Sequence, residues 1–87
     1  MNKKIKVLQL IDSLQVGGAE VLAVNIANAL SKQGLVSHLC ATRTEGPLKE
    51  NIEQAVGYLF LERKKTVDIK SIYKLKNYIK YNNISII

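Results

Sequence analysis

The chain has 87 residues, of which 47% are hydrophobic and 23% charged, a balance that excludes an intrinsically disordered or fibrous protein. Its single Cys and single His exclude an intrachain disulfide and a multi-cysteine zinc site. The formal net charge is +6, and the excess is concentrated in the last third, where seven basic residues accompany two acidic ones.

The N-terminal segment predicts a buried strand and not a signal peptide. Residues 5–11 are mostly apolar and β-branched, as in a strand of a parallel sheet that is covered on both faces. Lys6, Gln9 and Asp12 interrupt the apolar run that a signal peptide needs after a basic start such as Asn2–Lys4. No stretch approaches the roughly 20 apolar residues that span a bilayer. We therefore expect a soluble, cytoplasmic protein, of which residues 1–87 are one small domain or a piece of a larger one.

A loop over residues 12–18 and a helix over residues 19–33 follow. Gly17 and Gly18 end the loop, and apolar residues then recur at a spacing of three or four. Gly34 is a suitable helix end because glycine readily takes the left-handed conformation. The apolar stripe expected to face the sheet consists of Leu22, Ile26, Ala29, Leu30 and Gln33.

The middle of the chain predicts two strands with a short helix between them. Residues 35–42 lack strict alternation, which indicates a strand buried on both faces, and residues 57–61 form the next strand. Pro47 suits the first turn of a helix that would run to about Ala55, because its missing N–H would be unsatisfied there.

The C-terminal third predicts one more helix and the start of a strand. Residues 62–67 are expected to form a charged loop, and Asp68 is a good N-cap for a helix over residues 69–81. Residues 84–87 begin a fourth strand whose bare edge we expect to pair or to be disordered. The inner stripe of the helix is expected at Ile69, Ile72, Leu75 and Ile79, and the outer one at Lys70, Lys74, Asn77 and Tyr81.

This alternation of strands and helices predicts an α/β fold. We expect a Rossmann-like, three-layer fragment with a mostly parallel sheet of about four strands and three helices. A complete parallel domain would normally cover its fourth strand with another helix. We therefore expect residues 1–87 to be the N-terminal part of a longer protein.

The carboxyl end of the first strand is the predicted ligand site, because ligands bind there in open α/β sheets. Gly17 and Gly18 let a phosphate or diphosphate approach the free N–H groups of the helix that follows. A tight turn without any ligand explains a glycine pair equally well. Asp12, Arg43 and Thr44 also lie at strand ends and are candidate cleft residues, although Asp12 could instead fix the loop.

Two known phosphate loops are absent from the sequence. A dinucleotide fingerprint needs G-x-G-x-x-G with an acidic residue about twenty positions later, and a P-loop needs G-K-[ST]. The chain has only Gly17-Gly18, and its second strand ends in Ala41-Thr42-Arg43. NAD binding and P-loop nucleotide hydrolysis are therefore not expected.

The run from Ile11 to Glu20, IDSLQVGGAE, resembles the N-terminal sequence of glycosyltransferase family 4. These are retaining, nucleotide-sugar-dependent enzymes of the GT-B architecture. The resemblance continues through residues 25–30, Gly34 and Gly46–Leu48, and so covers essentially the whole chain. It departs from the family where Gly34-Leu35-Val36-Ser37 replaces the frequent Gly-His-x-Val.

The resemblance implies transfer of a sugar from a UDP- or GDP-linked donor to a saccharide or lipid-linked acceptor, with retention, in polysaccharide or glycan biosynthesis. It implies that this domain mainly binds the acceptor, while Gly17 and Gly18 donate backbone N–H groups to the donor diphosphate. It assigns no catalytic residue, metal or cofactor to this segment, because the family's paired Glu residues lie in a C-terminal domain. The fragment alone is expected to be inactive.

Two other functions stay open at this point. One is a non-catalytic Rossmann-like or flavodoxin-like module that binds a phosphorylated ligand at Gly17-Gly18. The other is a basic docking module, in which the lysines and tyrosines of residues 63–80 and Tyr81 contact the inner face of an anionic membrane. Nucleic acid is not expected as a partner because no RNA-binding motif is present.

Three further polar residues are expected to have structural roles. Glu20 lies in the first turn of the helix, where its charge favours the helix dipole. His38 lies inside the second strand and is expected to be packed and hydrogen-bonded. Cys40 is expected to be a small buried hydrophobic residue and not a nucleophile.

Overall fold

A computed structural model describes residues 5–65 and 68–87 of the chain. Asn2–Lys4 and Val67, at the end of the predicted charged loop, lie outside the described residues. The described elements are β1 (Lys6–Ser13), α1 (Gly18–Lys32), β2 (Val36–Thr44), a 3₁₀ turn (Pro47–Asn51), β3 (Gly57–Phe60) and α2 (Ile69–Tyr81).

The three strands form a parallel sheet in the order β1-β2-β3. On the other side of β1, Val7 forms a single parallel bridge with Ile86, and the Leu8 N–H donates to the Ile86 carbonyl at 2.8 Å. Within the described residues, the expected fourth strand is therefore a single bridge beside β1. This places β1 between β2 and the Ile86 segment.

The two helices cover opposite faces of the sheet. Alternate residues of β2 belong to different clusters: Leu39 packs with α1, whereas Cys40 packs with Leu75 and Ile79 of α2. Residues 37–41 are buried without interruption, so the predicted burial of this strand on both faces is confirmed. The result is a small α/β structure of three layers.

The predicted inner stripe of α1 is wrong. Leu22 and Ile26 are exposed, and the buried residues of the helix are Ala23, Val24 and Ala27. Ala29 is exposed as well. The helix therefore turns Ala23, Val24 and Ala27 toward the sheet, and not the larger Leu22 and Ile26. Gly34 has φ +90°, which confirms that the helix ends in the left-handed conformation.

The predicted third α-helix is also wrong. Pro47 does begin a helical turn, but that turn is 3₁₀ and ends at Asn51. The Asn28 side chain of α1 donates to the Asn51 carbonyl at 2.9 Å and accepts from the Glu53 N–H at 3.0 Å. Because these bonds hold the chain in a non-helical path, the helix cannot continue to Ala55.

The bounds of α2 agree with the prediction, and its Asp68 N-cap is confirmed, since the Asp68 carboxylate accepts from the Ser71 N–H. Its inner stripe is only partly as expected, because Ile69 and Ile72 are exposed while Ser71 is buried. Neither α-helix among the described residues combines the length and hydropathy that crossing a bilayer requires.

Candidate functional site

The carboxyl ends of the parallel strands meet at one edge of the sheet. Asp12 and Ser13 belong to β1, which runs two residues further than predicted, and Arg43 and Thr44 are the last residues of β2. Thr44 is exposed and lies opposite Ser13, where the register shifts after Ile11. Asp12, Arg43 and Thr44 therefore lie within the last two residues of their strands.

Gly17 and Gly18 lie at the start of α1. Gly17 is the N-cap, its backbone is extended, and the cap makes no side-chain hydrogen bond. The first N–H groups of a helix have no partner within the helix, so they point outward from this end. The positive end of the helix dipole adds to their attraction for an anion.

The space at Gly18 is open. A Cβ atom built at this position meets no atom within 4 Å, and the Gly18 backbone does not have the positive φ that favours glycine. Neither packing nor backbone strain among the described residues therefore requires glycine here.

The Glu20 carboxylate lies against Gly17. A Cβ atom at Gly17 would come within 2.8 Å of Glu20 Oε1, and Ser13 Oγ donates to Glu20 Oε2 at 3.2 Å. Glu20 is the third residue of α1, from which a Glu side chain commonly folds back over the helix start. Its negative charge interacts favourably with the positive end of the helix dipole, as the sequence predicts.

The segment after β2 holds the loop between β1 and α1 in position. We call this loop, with Gly17 and Gly18 at its end, the glycine loop. A Cβ atom at Gly46 would lie 2.5 Å from the Leu14 carbonyl oxygen, so only glycine fits against this backbone. The Leu48 N–H donates to the same carbonyl at 3.1 Å, and Gln15 Nε2 donates to the Glu45 carbonyl at 2.9 Å. These contacts fix the path of the chain just before Gly17.

Asp12 joins the ends of the three strands. Its Oδ1 atom accepts from Thr42 Oγ1 at 3.1 Å and from Arg63 Nη2 at 3.4 Å, while Oδ2 lies 3.5 Å from Arg43 Nη1. Sequence reasoning placed Arg63 in a charged loop and missed its part in this cluster. The available signal was its position just after the third strand, where side chains again reach the carboxyl edge.

Two clefts lie beside this cluster, and neither is lined by Gly17 or Gly18. A cleft of about 260 Å³ is lined by Arg43, Arg63, Lys64 and Lys65. A larger one, of about 590 Å³, lies between the end of β3 and the start of α2 and includes the acidic residues Glu62 and Asp68 in its lining.

His38 and Cys40 have the structural roles expected for them. His38 Nδ1 is hydrogen-bonded to the Tyr78 hydroxyl at 2.6 Å, and burial lowers the pKa of His38, assisted by the positive charge of Lys6. Burial raises the pKa of the Cys40 thiol to about 11, so it is protonated and unreactive at neutral pH.

The basic segment 63–80 does not present all its tyrosines to solvent. Tyr73 and Tyr81 are exposed, but Tyr78 turns inward to His38. Lys74 Nζ donates to the Phe60 carbonyl at 2.6 Å. Tyr78 therefore cannot belong to the membrane-facing set that the sequence suggested, because its hydroxyl and ring are part of the contact between α2 and the sheet.

Comparison with family models, curated proteins and solved structures gives no match for this chain. Within residues 5–65 and 68–87, no three His, Cys, Asp or Glu side chains come together in a way that could hold a metal ion.

Proposed function

We propose that this chain is the N-terminal, acceptor-binding part of a retaining glycosyltransferase of family 4, with the GT-B architecture and a Rossmann-like N-terminal domain. The IDSLQVGGAE run from Ile11 to Glu20 is the sequence support for this assignment. The proposed reaction moves a sugar from a UDP- or GDP-linked donor to a saccharide or lipid-linked acceptor.

The single observation that carries the proposal is the empty space at Gly18. The glycine pair follows the carboxyl end of β1, and β1 has β2 on one side and the Ile86 bridge on the other. In open α/β sheets, ligands bind outside the strand at which the sheet order reverses. A diphosphate at this point would occupy the space that a Cβ of Gly18 would fill, and the Glu20 carboxylate, which lies against Gly17, would turn away from it.

The proposed role of the loop in catalysis follows from its charge. When the donor's glycosidic bond breaks, negative charge grows on the leaving nucleoside diphosphate. Backbone N–H groups at the start of α1 would stabilise that charge more strongly than the charge of the bound donor. The contacts of Gly46 and Leu48 with Leu14 hold the chain just before these groups.

The test is donor consumption by the full-length gene product across a panel of UDP- and GDP-sugars, with a Gly18→Val variant. The valine side chain would place methyl groups where the diphosphate approaches, so we expect at least a hundredfold loss of turnover, about 2.7 kcal/mol in barrier. Ala29→Val is the matched control, since it adds the same β-branched side chain at an exposed position of α1.

Three outcomes separate the candidate functions. Consumption of one donor, lost in Gly18→Val and kept in Ala29→Val, supports the glycosyltransferase. Binding of the nucleotide without sugar transfer supports the non-catalytic phosphate-binding module. Equal turnover in both variants contradicts the proposed role of the loop.

A further inference from the structure

A cluster of cationic side chains lies at the carboxyl edge, separate from the glycine loop. It consists of Arg43, Arg63, Lys64 and Lys65, which line the cleft of about 260 Å³, and we call it the arginine cleft. Among the described residues, no acidic side chain lines it, whereas Glu62 and Asp68 both line the larger cleft nearby. An anion therefore meets less repulsion in the arginine cleft than in the larger one.

The backbone around the cleft is fixed on both sides. The Arg63 N–H donates to the Thr42 carbonyl at 2.7 Å, which holds residue 63 beside the end of β2. The Lys64 N–H donates to the Asp68 carboxylate at 3.1 Å, which ties the same segment to the start of α2. The basic residues are thus held on an ordered edge.

Asp12 orients the two guanidinium groups without neutralising the cluster. Asp12 lies 3.4 and 3.5 Å from the two guanidinium groups, and Glu62 Oε1 lies 3.7 Å from Lys64 Nζ, so two negative charges accompany the four positive ones. The Arg63 side chain is only 24% exposed and also donates to the Lys65 carbonyl at 2.9 Å. A guanidinium fork that is held in place like that of Arg63 matches the geometry of phosphate oxygens.

We propose that the arginine cleft binds the phosphate group of a second ligand, distinct from the anion at Gly17-Gly18. Asp12 and Ser13 are consecutive on β1, and they contact the arginine cleft and the α1 start respectively. The two anion sites therefore flank the end of one strand. Under the proposed function, on which this assignment rests, the second ligand is a sugar acceptor that carries a phosphate.

The test is a titration of the ¹⁵N-labelled chain with inorganic pyrophosphate, followed through the amide resonances. We expect shifts at Arg63, Lys64 and Lys65. The double variant Arg43→Gln/Arg63→Gln should weaken this binding roughly tenfold or more, because two charge-assisted contacts are lost. The matched control, Lys76→Gln/Lys80→Gln, removes the same charge from α2 outside the cleft and should change the affinity less than about twofold.

Arg43→Gln alone is the second variant, for the case in which loss of the Arg63 contacts disturbs folding. The Arg43 side chain is 58% exposed, so its removal should leave the amide spectrum dispersed while weakening pyrophosphate binding. A Gly18→Val variant should leave the shifts at residues 63–65 unchanged. The two variants therefore distinguish a loss of anion binding at the glycine loop from a loss of anion binding at the arginine cleft.

A vesicle arm distinguishes the source of the phosphate. Phosphatidylcholine vesicles that contain phosphatidic acid are tested with the same variants. If Arg43→Gln/Arg63→Gln releases the chain from vesicles, the site takes a lipid phosphate; if vesicle binding is unchanged while pyrophosphate binding falls, it takes a soluble phosphate. The proposal is overturned if pyrophosphate causes no shifts at residues 63–65, or if the lysine control weakens binding as much as the arginine variant.

Discussion

Asp12 links the end of β2 to the segment after β3 at the carboxyl edge. One carboxylate contacts a hydroxyl of β2, a guanidinium of β2 and a guanidinium beyond β3. Because Asp12 is itself well exposed, each ion pair is expected to contribute little to stability. Its effect is to orient Arg43 and Arg63.

His38 anchors α2 to the face of the sheet that lies opposite α1. Its ring meets Tyr78 edge-on, with centroids 5.3 Å apart, and shares a hydrogen bond with the Tyr78 hydroxyl. Gly57 is needed beside it, since a Cβ there would overlap the imidazole ring. A charged imidazolium has no described carboxylate partner at this place, so the neutral ring is the form that the fold favours.

This pairing predicts a pH-dependent stability. Burial lowers the pKa of His38 in the folded chain below its unfolded value of about 6.5. The unfolded chain therefore takes up the proton first as the pH falls, and stability that is complete above pH 6.5 is lost on acidification. We expect the urea midpoint to fall between pH 7 and pH 5.

His38→Gln provides the control, because glutamine does not titrate in this range. Its midpoint should be lower at pH 7 but should change less between pH 7 and pH 5. Hydrogen bonds lower the pKa values of Glu45 and Asp68, so these carboxylates titrate below the window. An equal change in both proteins would show that His38 is not the group responsible.

At the scale of elements, the glycine loop and the segment after β2 behave as one unit. Gly46 lies against the backbone of Leu14 and Gln15, and the Leu48 N–H binds the Leu14 carbonyl. The two glycine positions therefore differ in kind: Gly46 is required by packing, whereas Gly18 is not required by anything among the described residues.

This contrast predicts opposite effects of the same substitution. Gly46→Ala should lower the free energy of unfolding by about 1–3 kcal/mol, because the added methyl group overlaps backbone atoms. Gly18→Ala should raise it by about 0.4–1 kcal/mol, because it reduces the entropy of the unfolded chain at a position with free space. Urea unfolding of both variants measures the difference, and a loss of stability in Gly18→Ala would contradict the open space at this position.

Local signals predicted α2 better than α1. Asp68 fixes where α2 begins, and its carboxylate makes the capping bond that the sequence predicts. In α1, the spacing of three and four is met both by Leu22 and Ile26 and by Ala23 and Ala27. The structure buries Ala23 and Ala27. The choice between the two stripes depends on packing against the sheet, a tertiary property that a single sequence does not contain.

At the scale of the whole molecule, the alternation of strands and helices is enough to predict a parallel sheet with helices on both faces. It does not predict that Asn28 stops the segment after Pro47 from becoming an α-helix. The candidate site is also only partly predictable from the sequence. Gly17 and Gly18 are visible as a motif, whereas Asp12 and Arg63 are 51 residues apart and meet only through the strand order.

That strand order places two distinct anion-attracting features at one edge. The start of α1 offers backbone N–H groups on one side of the β1 end, and the arginine cleft offers side chains on the other. We propose that the start of α1 receives a diphosphate.

The most direct test uses the five glycines of the chain as probes. Glycine is labelled selectively with ¹⁵N, and the amide resonances are followed during titration with UDP and, separately, with uridine. We expect the amide resonances of Gly17 and Gly18 to shift with UDP and not with uridine. The resonance of Gly34, at the far end of α1, should not shift with either. Unchanged Gly17 and Gly18 resonances at millimolar UDP, or equal shifts with uridine, would contradict a diphosphate site at the start of α1.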